Sequence, residues 1–402
     1  MSILWRALLV ILLVWAGPVW AQTDGDDPLV VVSWAPLKGP DALWAGTLGG
    51  LKAAAAMVNA NGGFNGRHLS IDEIKMGEGE AGFLKQLAGH MEKPGVIGAA
   101  GGPVHHLASE SADYFRRINK VWLGPWSNEP GLYKGTGSDP FGLLPTWAEE
   151  LPSLLSYVKS VYEARPEEAG PVYLIYYNFA PEQGMAAEAK KMAEELGLDL
   201  RRAPVNSDFV DWPFLGDHVK QAKAVIVWLT PGPAAAFVKA AKEKLPDAVF
   251  LTDSVNATNS NLVLLSGGAW NGVIFPAVLK PSDEIPAAYD ALIRKYGPVG
   301  LEPGYQAYLG FAQGRILTRA VGLAARAEGG PDLASALYQA RGFSTLLFAA
   351  VDYDSTNHRG RNLFYLARAY GNGHWEAAPD PAVKTEFLDR EDQAAVEIEK
   401  NN

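Results

Sequence analysis

The segment that most constrains the fold of this 402-residue chain reads VNANGGFNGRHL and runs from Val58 to Leu69. Gly62 follows an alanine-rich stretch that begins at Trp44, and glycine readily takes the left-handed conformation that ends a helix. Gly66 can form a turn into the following residues up to Ile74, whose polar and apolar side chains alternate as in a strand. The segment therefore predicts a helix that ends, turns tightly and leads into a strand.

Strand-like and helix-like segments alternate on both sides of this turn. Apolar runs typical of buried strands begin at Leu29, Gly95, Val121, Val172, Ala224 and Val249. Strands that are apolar throughout and separated by helices predict parallel sheets covered on both faces. The alternation restarts near Leu151, so the fold class predicted is α/β with two doubly wound parallel-sheet lobes.

The part of the chain after Gly272 does not begin a third domain. It holds one strand-like run, two helix-like stretches at 282–296 and 305–328, and a predicted hairpin in which residues 346–353 pair with 362–370. We expect these elements to complete the two lobes, and the charged residues 379–402 to form a tail.

The first 21 residues are typical of a secretory signal peptide. Arg6 precedes a short apolar core, and Ala21 offers a small residue before a cleavage site at Gln22. The core is shorter than the roughly 20 residues that a membrane span needs, which disfavours an anchor. The chain has no cysteine, which excludes a lipid-anchored cleavage site as well as disulfides. The predicted location is the periplasm.

Charge and motif content disfavour several function classes. Without the leader the chain has 34 basic and 45 acidic residues, a net charge of −11, which argues against nucleic acid and anionic membranes as partners. The Gly101-Gly102 pair has neither the Gly-Lys-Ser/Thr ending nor the G-x-G-x-x-G spacing of a phosphate loop. The sequence contains no H-x-x-x-H metal pair and no G-x-S-x-G nucleophile elbow. We therefore predict no catalytic residue, no metal site and no cofactor. The pairs Glu149-Glu150 and Glu167-Glu168 are interpreted as solvated charges at helix ends.

The Val58–Leu69 segment resembles the N-x-x-G-G-I-N-G-R-x-L motif of the periplasmic leucine/isoleucine/valine-binding protein family, the type I solute receptors of ABC importers. Three more segments resemble the family in the same order: Pro36 to Gly46, Gly124 to Leu132, and Asn357 to Gly360. The resemblance implies two lobes joined by three crossings near residues 146, 275 and 348 and closing on a ligand by hinge motion. Lobe 1 would comprise 28–146 with 276–347, and lobe 2 would comprise 147–275 with 348–378.

Ligands of open parallel sheets bind beyond the carboxyl ends of the strands, which selects the loops that follow each strand. In lobe 1 the resemblance assigns Ser127 to a ligand carboxylate and Trp44 to a wall of the pocket, with a core position as the alternative for Trp44. Trp126 either lines the pocket or packs on a helix. The candidates that complete this side are Val104, His105 and His106, which replace a hydroxyl-rich segment of the family. Trp147, at the first crossing, could cover the ligand from the hinge, and Phe179 could stack on it from lobe 2.

In lobe 2 the family often places a carboxylate for the ligand ammonium after the strand that ends here at Thr252. A gapless placement puts Ser254 at that position and Asp253 one residue away. Both are candidate ligand contacts, and because neighbours at a strand end point in opposite directions, the alternative for Asp253 is that it points away from the ligand. Thr230 stands where the family often has a tyrosine. Both departures disfavour an α-amino acid ligand.

These observations predict the substrate-binding protein of a branched-chain amino acid-type ABC transporter. It would be a monomer without enzymatic activity that presents a small polar or carboxylate ligand, with an apolar or aromatic body, to the permease subunits. The alternative is a ligand-sensing module of the same fold, similar to amide sensors, that acts through a partner protein. An exported hydrolase is a third reading, for which the sequence offers no convincing nucleophile.

Overall fold

The computed structural model describes most of the chain between residues 27 and 379. The described residues are 27–36, 42, 44–76, 82–103, 107–133, 138–206, 211–257, 260–326, 332–340, 342–343, 345, 351–360, 364–371 and 373–379. The predicted leader and the tail beyond Pro379 lie outside them. Among the described helices none is long and apolar enough to span a bilayer.

The first half of the chain builds a small parallel sheet with helices on its faces. In chain order its elements are β1 (Leu29–Pro36), α1 (Trp44–Asn59), β2 (Leu69–Met76), α2 (Phe83–Met91), β3 (Val96–Ala100), α3 (Ala108–Ile118) and β4 (Val121–Leu123). The four strands are parallel in the order β2-β1-β3-β4. We call this sheet with its helices the small-sheet lobe.

The turn predicted between α1 and β2 is confirmed. Helix α1 ends at Asn59, and Gly62, Gly63 and Gly66 have φ angles of 92°, 68° and 85°. A Cβ on Gly63 would lie 2.3 Å from the carbonyl oxygen of Arg67, so this position needs glycine for space as well as for conformation. The turn brings Leu69 beside Leu29 and starts the parallel pairing of β2 with β1.

The second half builds a larger sheet. Its elements are α4 (Trp147–Ala164), β5 (Val172–Tyr177), α5 (Ala180–Glu195), β6 (Leu200–Val205), α6 (Trp212–His218), β7 (Ala224–Trp228), α7 (Pro231–Lys242), β8 (Val249–Thr252), α8 (Ser260–Leu265), β9 (Ile274–Ala277), α9 (Ala287–Tyr296), α10 (Tyr305–Ala324), α11 (Leu333–Gln339), β10 (Tyr365–Tyr370) and β11 (His374–Ala377). The strand order is β11-β10-β9-β8-β7-β5-β6, with β10 antiparallel to both neighbours. We call this sheet, with α4 to α8, the large-sheet lobe.

Helix α10 returns to the small-sheet lobe and packs on α1 at backbone contact distance. A Cβ on Gly50 would lie 2.0 Å from the carbonyl oxygen of Ala307, and one on Gly310 would lie 1.8 Å from that of Thr47. The C-terminal part of the chain thus contributes α10 to the small-sheet lobe and strands β10 and β11 to the large sheet. Strand β9 extends to Ala277 in the large sheet, two residues past the predicted crossing at 275. The assignment of residue ranges to lobes stays a prediction.

The predicted C-terminal hairpin is wrong in its pairing. Of residues 346–353 the described part begins at Val351, which forms an isolated bridge with Phe343. Strand β10 instead pairs with β11, the next segment along the chain, with Ala367 opposite Ala377. The turn between them has Gly371 and Gly373 at φ angles of 40° and 85°, and these glycines allow the chain to reverse tightly between β10 and β11.

Candidate functional site

A cavity of about 220 Å³ lies where the carboxyl ends of the two sheets face each other. We call it the cleft cavity. The loop after β4 and the start of α3 form one wall, and the residues after β5, β7 and β8 form the other. Its lining includes the aromatic residues Trp126, Tyr177 and Trp228, the polar residues Ser127, Asn128 and Thr230, and the acidic residues Glu129, Glu182 and Asp253.

Trp126 both lines the cleft cavity and packs on a helix. Its indole N–H donates to Oε1 of Gln313 on α10 at 3.0 Å, and its ring stacks on Trp44 with centroids 5.0 Å apart. The Nε2 of Gln313 in turn donates to the carbonyl oxygen of Leu123 at 2.8 Å, which fixes the end of β4. Trp44 is only 1 % exposed and is not among the residues that line the cavity, so it supports Trp126 from behind.

Hydrogen bonds fix the loop after Trp126. The hydroxyl of Tyr133 donates to the carbonyl oxygen of Ser127 at 2.8 Å. The backbone N–H of Trp147 donates to the carbonyl oxygen of Asn128, also at 2.8 Å. Ser127 lines the cavity as expected. Trp147 does not line it, and through its backbone it ties this loop to the start of α4.

The opposite wall contains Tyr177 at the end of β5. Its hydroxyl is hydrogen-bonded to Oγ1 of Thr230 at 2.7 Å, which joins the ends of β5 and β7. Phe179 stacks on Tyr177 with ring centroids 5.7 Å apart but does not line the cavity. Thr230 therefore lies where the sequence placed it, whereas Phe179 acts behind Tyr177.

Asp253 faces the cleft cavity, as the first of its two alternatives requires. Strand β8 ends at Thr252, and Asp253 caps a short 3-10 turn, where its carboxylate accepts from the backbone N–H of Asn256 at 3.0 Å. Because the alternation of a strand no longer applies there, Asp253 lines the cavity while Ser254 turns away and binds Glu150.

The interpretation of Glu150 as a solvated charge is wrong. Its side chain is completely buried and accepts hydrogen bonds from the hydroxyl and the backbone N–H of Ser254. The amide of Asn128 donates to Asp253 at 3.1 Å and to Glu150 at 3.5 Å, so three segments meet at two buried carboxyls. Burial raises the pKa of Asp253 to about 7. Burial and then the neighbouring charge of Asp253 raise the pKa of Glu150.

A sequence signal for Glu150 exists in the capping box at the start of α4. Thr146 and Glu149 exchange side-chain and backbone hydrogen bonds there, and Glu149 also pairs with Arg359. The box fixes where the helix begins, and Glu150 then falls beside Leu151 on the face that the helix buries.

Glu129 and Glu182 approach the cavity from opposite walls. Burial raises the pKa of Glu129, and the like charge of Glu182 on the first turn of α5 raises it further. The Oε2 atom of Glu182 is buried and has no hydrogen-bond partner among the described residues. No lysine, arginine or histidine occurs in the described lining. The candidates Val104, His105 and His106 lie outside the described residues.

A larger groove of about 770 Å³ lies between the starts of α1 and α10 and strand β11. Its charged side chains already pair with one another, since Arg294 binds Glu302 at 2.5 Å and the hydroxyl of Tyr308 donates to Asp290. The cleft cavity is the better candidate because loops from the carboxyl ends of both sheets line it.

Comparison with known proteins agrees with this arrangement. A family model described as periplasmic binding protein matches residues 30–374. The chain belongs to this periplasmic binding protein family. Members of the family bind small molecules and typically work with ABC permeases. No curated protein matches the sequence.

Solved structures of other periplasmic binding proteins share the fold. A branched-chain amino acid ABC transporter protein from Thermus thermophilus with bound valine has a TM-score of 0.75 at 16 % identity, covering 90 % of this chain and 98 % of that one. A possible leucine/isoleucine/valine-binding protein from Rhodopirellula baltica SH 1 has a TM-score of 0.72 at 19 % identity, with the same coverage. A fatty acid ABC transporter substrate-binding protein from Thermomonospora curvata has a TM-score of 0.73 at 14 % identity, covering 91 % and 96 %. These similarities establish the type I fold, whose members here carry different ligands.

Proposed function

We propose that this periplasmic binding protein is the substrate-binding component of a branched-chain amino acid-type ABC importer and captures a small ligand in the cleft cavity. The observation that carries the proposal is the lining of that cavity by strand-end loops from both sheets. A ligand that contacts both walls binds the closed arrangement better than the open one, and this difference shifts the population toward closure. The closed form is then the one presented to the permease.

The ligand proposed is small and has an apolar or aromatic body. Trp126, Tyr177 and Trp228 supply flat apolar surface to a cavity below the about 300 Å³ typical of sites for drug-sized ligands. The expectation of a carboxylate ligand depended on His105 and His106, which lie outside the described residues, and on Ser127, which lines the cavity. The acidic lining gives that expectation no support.

A thermal-shift screen of the chain starting at Gln22 tests the proposal, with amino acids, aromatic acids, amides, amines and alcohols as probes. A ligand present at one hundred times its dissociation constant stabilises the folded state by about 2.7 kcal/mol. The variant Ser109→Trp places an indole in the cavity lining and should abolish this stabilisation. Glu110→Trp changes the next exposed residue, which does not line the cavity, and should leave it unchanged. Equal ligand responses in both variants would place binding elsewhere.

The proposed location is the periplasm, reached through cleavage of the signal peptide before Gln22, without a lipid anchor. Mass spectrometry of the protein recovered from the periplasm should give a chain that begins at Gln22. A chain that retains Met1 and remains with the membrane would contradict this proposal. Sedimentation of the purified protein tests the proposed monomer.

A further inference from the structure

The inference concerns which ligands the cleft cavity selects, and it rests on the proposed binding function. Three acidic side chains line a cavity of about 220 Å³, and the described lining provides no basic side chain to balance Glu129 and Glu182. A site of this polarity repels anions and attracts cations, and the attraction strengthens where walls of low dielectric exclude water.

The deepest carboxylate already has partners within the protein. Asp253 accepts from Asn128 and from the backbone of Asn256, while the Glu150 behind it accepts from Ser254. Since these bonds satisfy the buried pair, Asp253 and Glu150 do not require a ligand to be stable.

Glu129 and Glu182 also line the cavity, and their hydrogen bonds within the protein are less complete than those of Asp253 and Glu150. Glu129 comes from the loop after β4 and Glu182 from the first turn of α5, and the charge of Glu182 helps to raise the pKa of Glu129. Glu129 accepts from the backbone N–H of Gly131 at 3.3 Å and from the side chain of Trp147. Glu182 has a buried oxygen, Oε2, with no hydrogen-bond partner among the described residues. A buried carboxylate oxygen without a partner is costly, so this atom calls for a donor from outside the protein.

The geometry points to an organic cation as the ligand, with its protonated amine held between Glu129 and Glu182 and its flat body against the aromatic walls. A metal ion fits less well, because no three of the described histidine, aspartate and glutamate side chains are grouped as metal ligands. An aromatic or apolar amine also uses Trp126, Tyr177 and Trp228, whose ring faces attract cations and pack on flat groups. Since Glu129 and Glu182 lie on opposite walls, the ammonium group offsets the repulsion that closure would otherwise increase.

Titration calorimetry with matched probes tests this inference. The probes are phenethylamine, its neutral analogue 2-phenylethanol, the anion 3-phenylpropionate, and L-leucine. We expect phenethylamine to bind at least tenfold more tightly than 2-phenylethanol, with an affinity that falls as salt is added, and 3-phenylpropionate to bind more weakly than either. Charge-assisted hydrogen bonds of this kind typically change affinity by about tenfold to a hundredfold.

Variants on one helix separate the proposed contact from general charge effects. Glu182→Gln should weaken phenethylamine about tenfold or more and leave 2-phenylethanol unchanged, and Glu129→Gln should do the same. Glu188→Gln removes an exposed carboxylate from the same helix, α5, and should change neither probe. Circular dichroism confirms that each variant is folded.

Two results overturn the inference. The first is that phenethylamine binds no more tightly than 2-phenylethanol. The second is that Glu129→Gln and Glu182→Gln both retain the affinity of the parent chain for phenethylamine. If L-leucine or 3-phenylpropionate nevertheless binds and Ser109→Trp abolishes that binding, the receptor function stands and only the cation is wrong. If none of these compounds and no member of the thermal-shift panel binds, the receptor function fails together with the inference.

Discussion

The buried carboxyl of Asp253 should make the stability of this protein depend on pH in an unusual direction. Its pKa is raised to about 7 in the folded chain from an ordinary value of 3.8. The folded chain therefore holds this proton more tightly than the unfolded chain does. The stabilising contribution of the protonated group is complete below about pH 4 and is lost as the pH rises to 7.

The magnitude follows from the size of the shift. About three pKa units at 1.36 kcal/mol per unit correspond to about 4 kcal/mol between the two ends of this pH range. Asp253→Asn removes the titration while it keeps the size of the side chain and an oxygen that can accept from the backbone of Asn256. Relative to the parent chain, this variant should gain up to about 4 kcal/mol in free energy of unfolding between pH 4 and pH 8.

Urea unfolding at several pH values, followed by tryptophan fluorescence and circular dichroism, measures this difference. Glu163→Gln changes an exposed carboxylate on α4 and should give a curve parallel to that of the parent chain. A difference between the parent chain and Asp253→Asn that stays constant to within about 0.5 kcal/mol from pH 4.5 to 8.5 would refute the reasoning. Glu150→Gln should reduce the loss of stability at still higher pH, because Glu150 also has a raised pKa.

Two further predictions concern the packing that holds the site in place. Gly310→Ala should destabilise the chain by about 2–3 kcal/mol, because the added Cβ would lie 1.8 Å from the carbonyl oxygen of Thr47. Gly184→Ala, with open space around its Cβ, should instead stabilise α5 by about 0.5–1 kcal/mol. Equal midpoints of thermal unfolding for the two variants would contradict the assigned contact. Gln313→Leu should cost about 3 kcal/mol by leaving buried hydrogen-bonding groups unpaired, and it should be non-additive with Trp126→Phe in a double-mutant cycle, since both remove the same hydrogen bond.

The sequence predicts the architecture well because long-range order follows from local patterns that repeat. The glycines at 62, 63 and 66 can adopt the positive φ angles that the turn between α1 and β2 requires. Apolar strands separated by helices indicate parallel sheets. The predicted hairpin has the wrong partner because the prediction does not take account of the turn at Gly371 and Gly373, which joins β10 to β11. Strand β10 fits β9 on one side and β11 on the other, and only the assembled sheet shows both.

The site was predicted in part for a related reason. Trp126, Ser127, Thr230 and Asp253 follow strands of the two sheets, and the rule of the carboxyl ends locates them. Glu129 follows β4 and Glu182 follows β5, but neither carries a distinguishing pattern, since an acidic residue near the start of a helix is common. Their importance arises from their approach across the cavity, which depends on how the two lobes meet.

The placement of α10 and of strand β10 also determines when the chain can fold. The hydrogen bond between Gln313 and Leu123 joins residues that are 190 positions apart in the chain. Strand β9 pairs with β10, which follows it only after the three helices α9 to α11. The large sheet therefore cannot be completed until almost the whole chain has been synthesised, and the many non-local contacts predict slow folding. For the export proposed above, such late completion of the fold would keep the chain unfolded while it is still in the cytoplasm.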